Sequence, residues 1–494
     1  MKYPAGLTLM LSASSFAMSR PAEHPNVVLI YADDLGFGDV SCYNPESKIP
    51  TPNIDRLAEQ GVRFVDAHSP STICSPSRYG ILTGRYPWRT GLRRGNPPVG
   101  AQPWIEEGRI ALPEMLRRAG YETAVFGKWG LGSDWNATAR PGRRGLDVSA
   151  EAIDYSKPVY SGKPFGFTHE EVHLWFGGQF PGRVYPCNLE PDAFEKADGA
   201  RWYFENGLSR GGDPDFESFD MEEAQMHYIE RTVDWIEKAD APFFVYYAPH
   251  IPHWPHVPAP QFQGTTEMGF YGDFIAELDW AVGQIVQALE KTGQLENTLI
   301  FFTSDNGPEV QSYGYHQKGH VSSGPWRGVK RDVWEGGHRT PFIVAWPGTV
   351  SSGRVSRRLV SQTDIFATIA DLLNRPLPND CAEDSFSFLD ELLPSHAVGE
   401  PRTLAIHHSG TSDKLALRKG EWVLIDAPSG DNAKQEPEWF RKKRGVVPHD
   451  QLVELFNLKD DPQQTRNRAA EFPEKVKELK QLLQKLEQSG RTRK

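Results

Sequence analysis

The sequence predicts an α/β fold: a large, mostly parallel or mixed sheet flanked by helices, then a smaller C-terminal α+β subdomain with an antiparallel sheet and a terminal helix. Three observations predict it. Short apolar runs rich in Val, Ile, Phe and Tyr recur at residues 27–32, 123–126, 243–248, 299–303 and 342–346, the composition of strands buried on both faces. Segments of helical periodicity alternate with them, which places helices on both faces of the sheet. After about Pro376 the pattern changes to short runs at 405–408, 415–418 and 422–425.

The helical segments carry recognisable ends. Thr51-Pro52-Asn53-Ile54-Asp55 opens a helix running to Gln60 and closed by Gly61, and residues 112–119 form another closed by Gly120. Residues 222–238 and 274–291 are longer amphipathic candidates. Pro473 suits the first turn of a helix over 473–488, with Val476, Leu479, Leu482, Leu483 and Leu486 on one face. Residues 434–444 read as a polar, charged connection. Residues 150–220 break the rhythm: they are rich in Gly, Pro and aromatics such as Tyr155, Trp175 and Trp202, and are expected to be an ordered insertion facing the substrate.

Composition sets limits on function. The 494 residues are 38% hydrophobic and 24% charged, a globular balance, and the net charge of -11 argues against a nucleic-acid partner, which needs a basic face. No apolar run beyond the N-terminus reaches the ~18 residues of a membrane span. Lys2 followed by a weakly apolar run over 5–17, ending in the small residues Ser15 and Ala17, reads as a secretory signal peptide. Residues 1–24 are therefore set apart, and a secreted or periplasmic location is expected. The four cysteines, Cys42, Cys74, Cys187 and Cys381, form no CxxC pair, which argues against a zinc knuckle or a thioredoxin-type site.

Chemistry concentrates at strand ends. Asp33-Asp34 directly follows the run 27–32, and Asp305-Asn306 follows 299–303. In open α/β sheets ligands bind beyond the carboxyl ends of strands, and adjacent carboxylates repel unless a cation neutralises them. Each pair alone also reads as an ordinary turn. Together, an all-oxygen set suits a hard cation, Ca²⁺ with Mg²⁺ as the alternative. Cys74-Ser75-Pro76-Ser77-Arg78 places a thiol at a loop-to-helix junction, where backbone N–H groups hold anions, with a permanent positive charge one turn on.

Cys74-x-Pro76-Ser77-Arg78 followed by Leu82-Thr83-Gly84-Arg85 resembles the signature of the formylglycine-dependent sulfatases, the type I, arylsulfatase-like branch of the alkaline phosphatase superfamily. The resemblance extends in order through Gly127-Lys128-Trp129, Pro249-His250-Ile251-Pro252, Ser304-Asp305-Asn306-Gly307, Lys330 ahead of Glu335-Gly336-Gly337, and Leu455-Phe456-Asn457-Leu458. It implies a catalytic domain over 25–376 and a C-terminal subdomain over 377–494. It implies a maturation enzyme that oxidises Cys74 to formylglycine, whose hydrate attacks sulfur and then expels sulfate from a covalent intermediate. By the same resemblance Asp33, Asp34, residue 74, Asp305 and Asn306 hold the cation. Arg78 steadies the nucleophile, Lys128 and Lys330 hold sulfate oxygens, and His250 serves the leaving oxygen. His408, in the C-terminal subdomain, is a candidate substrate contact, with a structural histidine as the other reading. His253 and His256 read as turn caps. Arg93, Arg94, Arg140, Arg143 and Arg144 read as a solvated basic surface. The expected substrate is a sulfate ester, carried by a sulfated small molecule or glycan. The alternatives are a phosphate or phosphonate ester hydrolase of the same superfold and a sulfated-glycan binding protein that has lost catalysis. One departure stands out: the family's histidine two residues after the motif lysine is Gly130 here, which puts the base for sulfate release in question.

Overall fold

The computed structural model describes residues 24–91, 93–95, 104–106, 108–131, 169–173, 221–239, 242–254, 256–397, 399–432 and 434–493. The expected signal peptide, the insertion at 150–220, Cys187 and Arg140, Arg143 and Arg144 lie outside them, apart from the backbone of 169–173. In chain order the elements are β1 (Asn26–Ala32), α1 (Pro52–Glu59), β2 (Gly61–Phe64), β3 (Ala67–His68), α2 (Cys74–Thr83), α3 (Leu112–Arg118), β4 (Glu122–Lys128) and β5 (His169–His173). There follow α4 (Met221–Lys238), β6 (Phe243–Ala248), α5 (Gly269–Lys291), β7 (Thr298–Ser304), α6 (Glu335–His338), β8 (Phe342–Ala345), β9 (Arg354–Ser356), β10 (Val360–Ser361) and α7 (Asp364–Leu372). The chain closes with β11 (Leu404–His408), β12 (Leu415–Lys419), β13 (Trp422–Ile425), α8 (Glu438–Arg444), β14 (Glu454–Asn457) and α9 (Pro473–Gln488).

The main sheet runs β5-β4-β6-β1-β7-β8-β2-β9. β1 lies at its centre, parallel to both β6 and β7. Its side chains alternate between the two faces, as the strand period of two requires. Val27, Leu29 and Tyr31 join the core beneath α2, α3 and α7, and Val28, Ile30 and Ala32 join the core beneath α1, α4 and α5. Helices thus cover both faces, and the apolar runs need no polar side.

Two details depart from the sequence reading. Residues 342–346 were grouped with the parallel strands, whereas β8 pairs antiparallel with β7 and with β2. The chain leaves the carboxyl end of β7, loops over 305–341 and re-enters the sheet from that same end. A run buried on both faces carries no mark of its direction. Gly61 ends α1 as expected but also starts β2, because its missing Cβ lets the backbone meet β8 closely: a Cβ there would stand 2.2 Å from the Val344 carbonyl oxygen.

The second sheet, β11-β12-β13-β14, is antiparallel throughout. One face packs on α9 through Leu479 and Leu483 and on Tyr86 and Trp88 of the larger unit. The other packs on Val333 and Trp334, just ahead of α6. The charged connection expected over 434–444 contains α8, whose Phe440 is buried while its basic residues line its last turn.

Glu277 of α5 is buried, and no cation among the described residues acts on it. Its Oε2 accepts the Ala259 N–H at 2.9 Å, and Oε1 has no hydrogen-bond partner. Burial pushes its carboxyl up to about 8. A carboxyl raised on folding binds its proton more tightly in the folded state, so stability falls as pH rises from the ordinary carboxylate range towards 8. Glu277→Gln keeps an acceptor for Ala259 and cannot ionise. Its melting temperature should exceed that of the wild type at pH 9 by several degrees, with little difference at pH 5. Parallel pH profiles for the two proteins would refute this.

Candidate functional site

The register of β1 against β7 builds the site. Ala32 is level with Ser304, so Asp33-Asp34 and Asp305-Asn306 leave the sheet side by side at its carboxyl edge. The Asp305 N–H donates to the Ala32 carbonyl at 3.1 Å. Asp34 has a left-handed backbone, φ 68°. Its N–H donates to Asp305 Oδ1 at 3.1 Å, and its Oδ1 accepts from Asn306 Nδ2 at 2.7 Å. All four residues are buried.

Cys74 is the first residue of α2, whose ten residues are all buried. A thiol at a helix N-terminus sits at the positive end of the dipole. The sulfur and one carboxylate oxygen each of Asp33 and Asp305 lie within 4.8 Å of one another. Arg78, one turn on and fully buried, donates from Nη2 to Asp305 Oδ2 at 2.8 Å. Its Nη1 reaches the Lys128 carbonyl at 3.1 Å and the Tyr246 hydroxyl at 3.3 Å. Lys128, the last residue of β4, donates to Asp33 Oδ2 at 2.6 Å, and Lys330 donates to Asp34 Oδ2 at 2.7 Å. The structure therefore brings Asp33, Asp34, Cys74, Arg78, Lys128, Asp305, Asn306 and Lys330 together.

The charges are unevenly balanced. Burial pushes the Asp33 carboxyl up, but Lys128, His253, Arg78 and Lys330 outweigh it and hold it well below the usual carboxylate range. Asp305 goes the other way: burial and the neighbouring Asp33 push it up to about 8, despite its bond to Arg78. A carboxylate that stays high beside a guanidinium marks a cluster short of positive charge. Two oxygens of the cluster, Asp33 Oδ1 and Asn306 Oδ1, are buried with no hydrogen-bond partner. Unpaired oxygens on a carboxylate and an amide of one cluster are the donors a hard divalent ion takes, and the ammonium groups of Lys128 and Lys330 now fill part of that role. The donor set fits a cation.

The loop after β6 carries the histidines. It is tied to the site by the Asp33 N–H, which donates to the Ile251 carbonyl at 2.9 Å. His250 is buried, its N–H donates to Gln225 Oε1 at 3.0 Å, and its ring lies along Tyr228. His253 was read as a turn cap, yet its Nε2 stands 3.7 Å from Asp34 Oδ2. Burial, Lys330 and Lys128 lower its pKa to about 4, so the ring is neutral. Its Nδ1 is 2.5 Å from the Trp254 carbonyl, an acceptor only, so Nδ1 bears the proton. The spacing from His250 to His253 was the signal available for it. Glu309 and Arg331 were also missed. Arg331, at φ 79°, forms a two-point ion pair with Glu309, which lies 3.6 Å from Lys330.

His408 reaches the site through its backbone. Its carbonyl accepts the Thr72 N–H and the Ser71 hydroxyl, each at 3.0 Å, bracing the segment before Cys74. Its ring is buried, and burial together with Arg93 lowers its pKa to about 4. Arg93 and Arg94 are exposed, and Arg94 pairs with the exposed Asp413.

Comparison with known proteins agrees with this geometry. The family profile described as Sulfatase matches residues 25–375. An N-acetylgalactosamine-6-O-sulfatase of Bacteroides thetaiotaomicron is 34% identical over 94% of this chain and 93% of its own length. The N-acetylgalactosamine-6-sulfatase of Rattus norvegicus is 32% identical over 79% of this chain and 70% of its own length. A solved structure, titled for the metabolism of multiple glycosaminoglycans by Bacteroides thetaiotaomicron, superposes with a TM-score of 0.71 at 30% identity, covering 94% of this chain and 100% of that one.

Gly130 adopts φ +70°, and a Cβ there would meet Ser75 Oγ at 3.2 Å and Arg78 Cδ at 3.4 Å. A side chain would be strained at that backbone and would press on the arginine beside residue 74. Gly130→Ala should lower unfolding free energy by about 1–3 kcal/mol in a urea titration, and Gly130→His should lower activity rather than raise it. A faster Gly130→His enzyme would show instead that the missing histidine limits the reaction.

Proposed function

The chain belongs to the sulfatase family and is a sulfuric ester hydrolase acting on sulfated carbohydrate; from that premise we propose that residue 74 is its nucleophile, after Cys74 is oxidised to formylglycine, beside one Ca²⁺ held by Asp33, Asp34, Asp305 and Asn306. The observation that carries this reading is the placement of Cys74 at the start of α2, its sulfur grouped with the carboxylates of Asp33 and Asp305. Cys74 stands where the aldehyde hydrate would be. Hydrated formylglycine supplies two hydroxyls on one carbon, one to attack sulfur and one to expel sulfate. Bound Ca²⁺ supplies positive charge that favours ionisation of a hydroxyl beside it.

The protein's own side chains do the rest. Arg78 is a fixed cation with its Nη2 on Asp305; it orients residue 74 and favours the negative charge that develops there. Lys128 and Lys330 now bond Asp33 and Asp34. Were those carboxylates engaged by a cation, both ammonium groups would be free to hold the sulfate oxygens. His250 serves the leaving oxygen as proton donor. His253, neutral and with its Nε2 3.7 Å from Asp34 Oδ2, takes the proton for which the family's usual histidine is absent at Gly130. His408 walls the substrate side, held to the strand before residue 74.

We take the substrate class to be 6-O-sulfated N-acetylgalactosamine units; 34% identity to an N-acetylgalactosamine-6-O-sulfatase along nearly the whole chain supports this reading. The division at 376 between a catalytic and a C-terminal unit, and export directed by residues 1–24, belong to the same proposal.

Four results are expected. Mass spectrometry of the active protein should find residue 74 without sulfur and reactive to hydrazides; full turnover by protein bearing only the thiol would refute the nucleophile. Among sulfated sugars, sulfate release should be fastest from 6-sulfated N-acetylgalactosamine, and a preference for the 4-sulfate would overturn the substrate assignment. Lys330→Ala should lower kcat about 10²–10³-fold, and chelation should lower both activity and melting temperature, restored by Ca²⁺.

A further inference from the structure

Three histidines distant in sequence meet where the two sheets join. His68 ends β3, His338 ends α6 and His407 lies in β11. All three are buried, and one ring nitrogen from each lies within 4.8 Å of the others. None belongs to the site around residue 74. The environment of two of the rings leaves an inward lone pair. His68 Nε2 faces both Asp66 Oδ1 at 2.9 Å and Arg418 Nη1 at 3.2 Å; the tautomer that donates Nε2–H to the nearer Asp66 leaves Nδ1 bare in the neutral ring. His407 Nδ1 faces the Ser69 carbonyl at 3.2 Å, which leaves Nε2 bare, and that atom is buried with no hydrogen-bond partner. His338 Nδ1 stands 3.0 Å from His68 Nδ1, so a single proton on His338 bridges them. Glu335 lies close enough for its charge to act on His68 and His407, and its Oε2 is held by Arg339.

We propose that His68, His338 and His407 form a second metal site, a three-imidazole site of the zinc class, which ties the C-terminal sheet to the larger one. Imidazole donors select zinc-class ions over calcium, which takes oxygen. A carboxylate behind one histidine and a carbonyl behind another are the partners that orient metal-bound imidazoles. Asp66 and Glu335 are matched by Arg339 and Arg418, so the ring of charges around the histidines is neutral before the ion enters. Two adjustments accompany binding. The bridging proton of His338 moves from Nδ1 to Nε2, which conserves its charge. The His338 and His407 rings, now parallel with centroids 3.7 Å apart, tilt out of their stack so that both lone pairs meet one ion. Tetrahedral Zn–N bonds of about 2.0–2.1 Å ask for a closure on the order of 1 Å. The site is sealed, so the ion enters during folding.

The test is metal content of the full-length protein. Protein expressed with zinc should retain about one equivalent after desalting, in addition to any calcium. Protein from cobalt-supplemented cells should show the intense visible bands of tetrahedral Co²⁺ with nitrogen ligands, which an all-oxygen site does not give. His68→Gln and His407→Gln should each lose the zinc and the bands while calcium content is unchanged. Should those variants fail to fold, the wild-type spectrum decides alone. Wild-type protein that holds substoichiometric zinc and shows only weak octahedral cobalt bands would overturn the proposal.

Discussion

The structure depends on one electrostatic constraint: three carboxylates, Asp33, Asp34 and Asp305, are buried together beyond the ends of two adjacent parallel strands. Taking such charges out of water is costly unless positive charge comes with them. Arg78, Lys128 and Lys330 supply it from three separate parts of the chain. That requirement explains why α2 is buried along its whole length, why β4 ends in a lysine, and why the excursion between β7 and β8 folds back over the strand ends. The same requirement leaves Asp305 high and, among the described residues, two oxygens of the cluster unpaired, which is where the proposed cation fits.

How much of this could be read from sequence follows from how local each signal is. β1, β6 and β7 were legible because strands buried on both faces are apolar without interruption, and Asp33-Asp34 and Asp305-Asn306 because they follow such runs directly. Cys74 to Arg85 is a contiguous string, and its start as a helix N-terminus agrees with the structure. β2 and β14 were not legible: Gly61–Phe64 is too short to show a period, and Glu454–Asn457 was matched only as a family motif. The direction of β8 was hidden because pairing sense is set by where the chain re-enters the sheet. His253 and Glu309 were missed because their neighbours across space, Asp34 and Lys330, lie far along the chain. The histidine triad is the extreme case: His68, His338 and His407 share no local pattern, and only the docking of the second sheet makes them neighbours.

The two sheets share more than apolar contact. The strand segment before Cys74 forms an isolated bridge with the C-terminal sheet at Ser71 and His408, and Thr72 donates its hydroxyl to the Ser409 carbonyl at 2.5 Å. Tyr86 and Trp88, just past α2, pack into the core under β11, β12 and α9. The C-terminal sheet is therefore part of the support for residue 74, and loosening it would be felt first in the loop that sets the start of α2.

That bridge also imposes a timetable on synthesis. Cys74 is only 1% exposed in the finished fold, so any enzyme that rewrites its side chain must reach it earlier. The partners that close the segment, at 408 and 409, emerge 337 residues after Ser71 and Thr72. At translation rates of about 5–20 residues per second, the ribosome leaves that stretch without its final cover for roughly 17–70 s. A chain that folds before this interval is used would seal an unaltered thiol inside an otherwise well-formed protein.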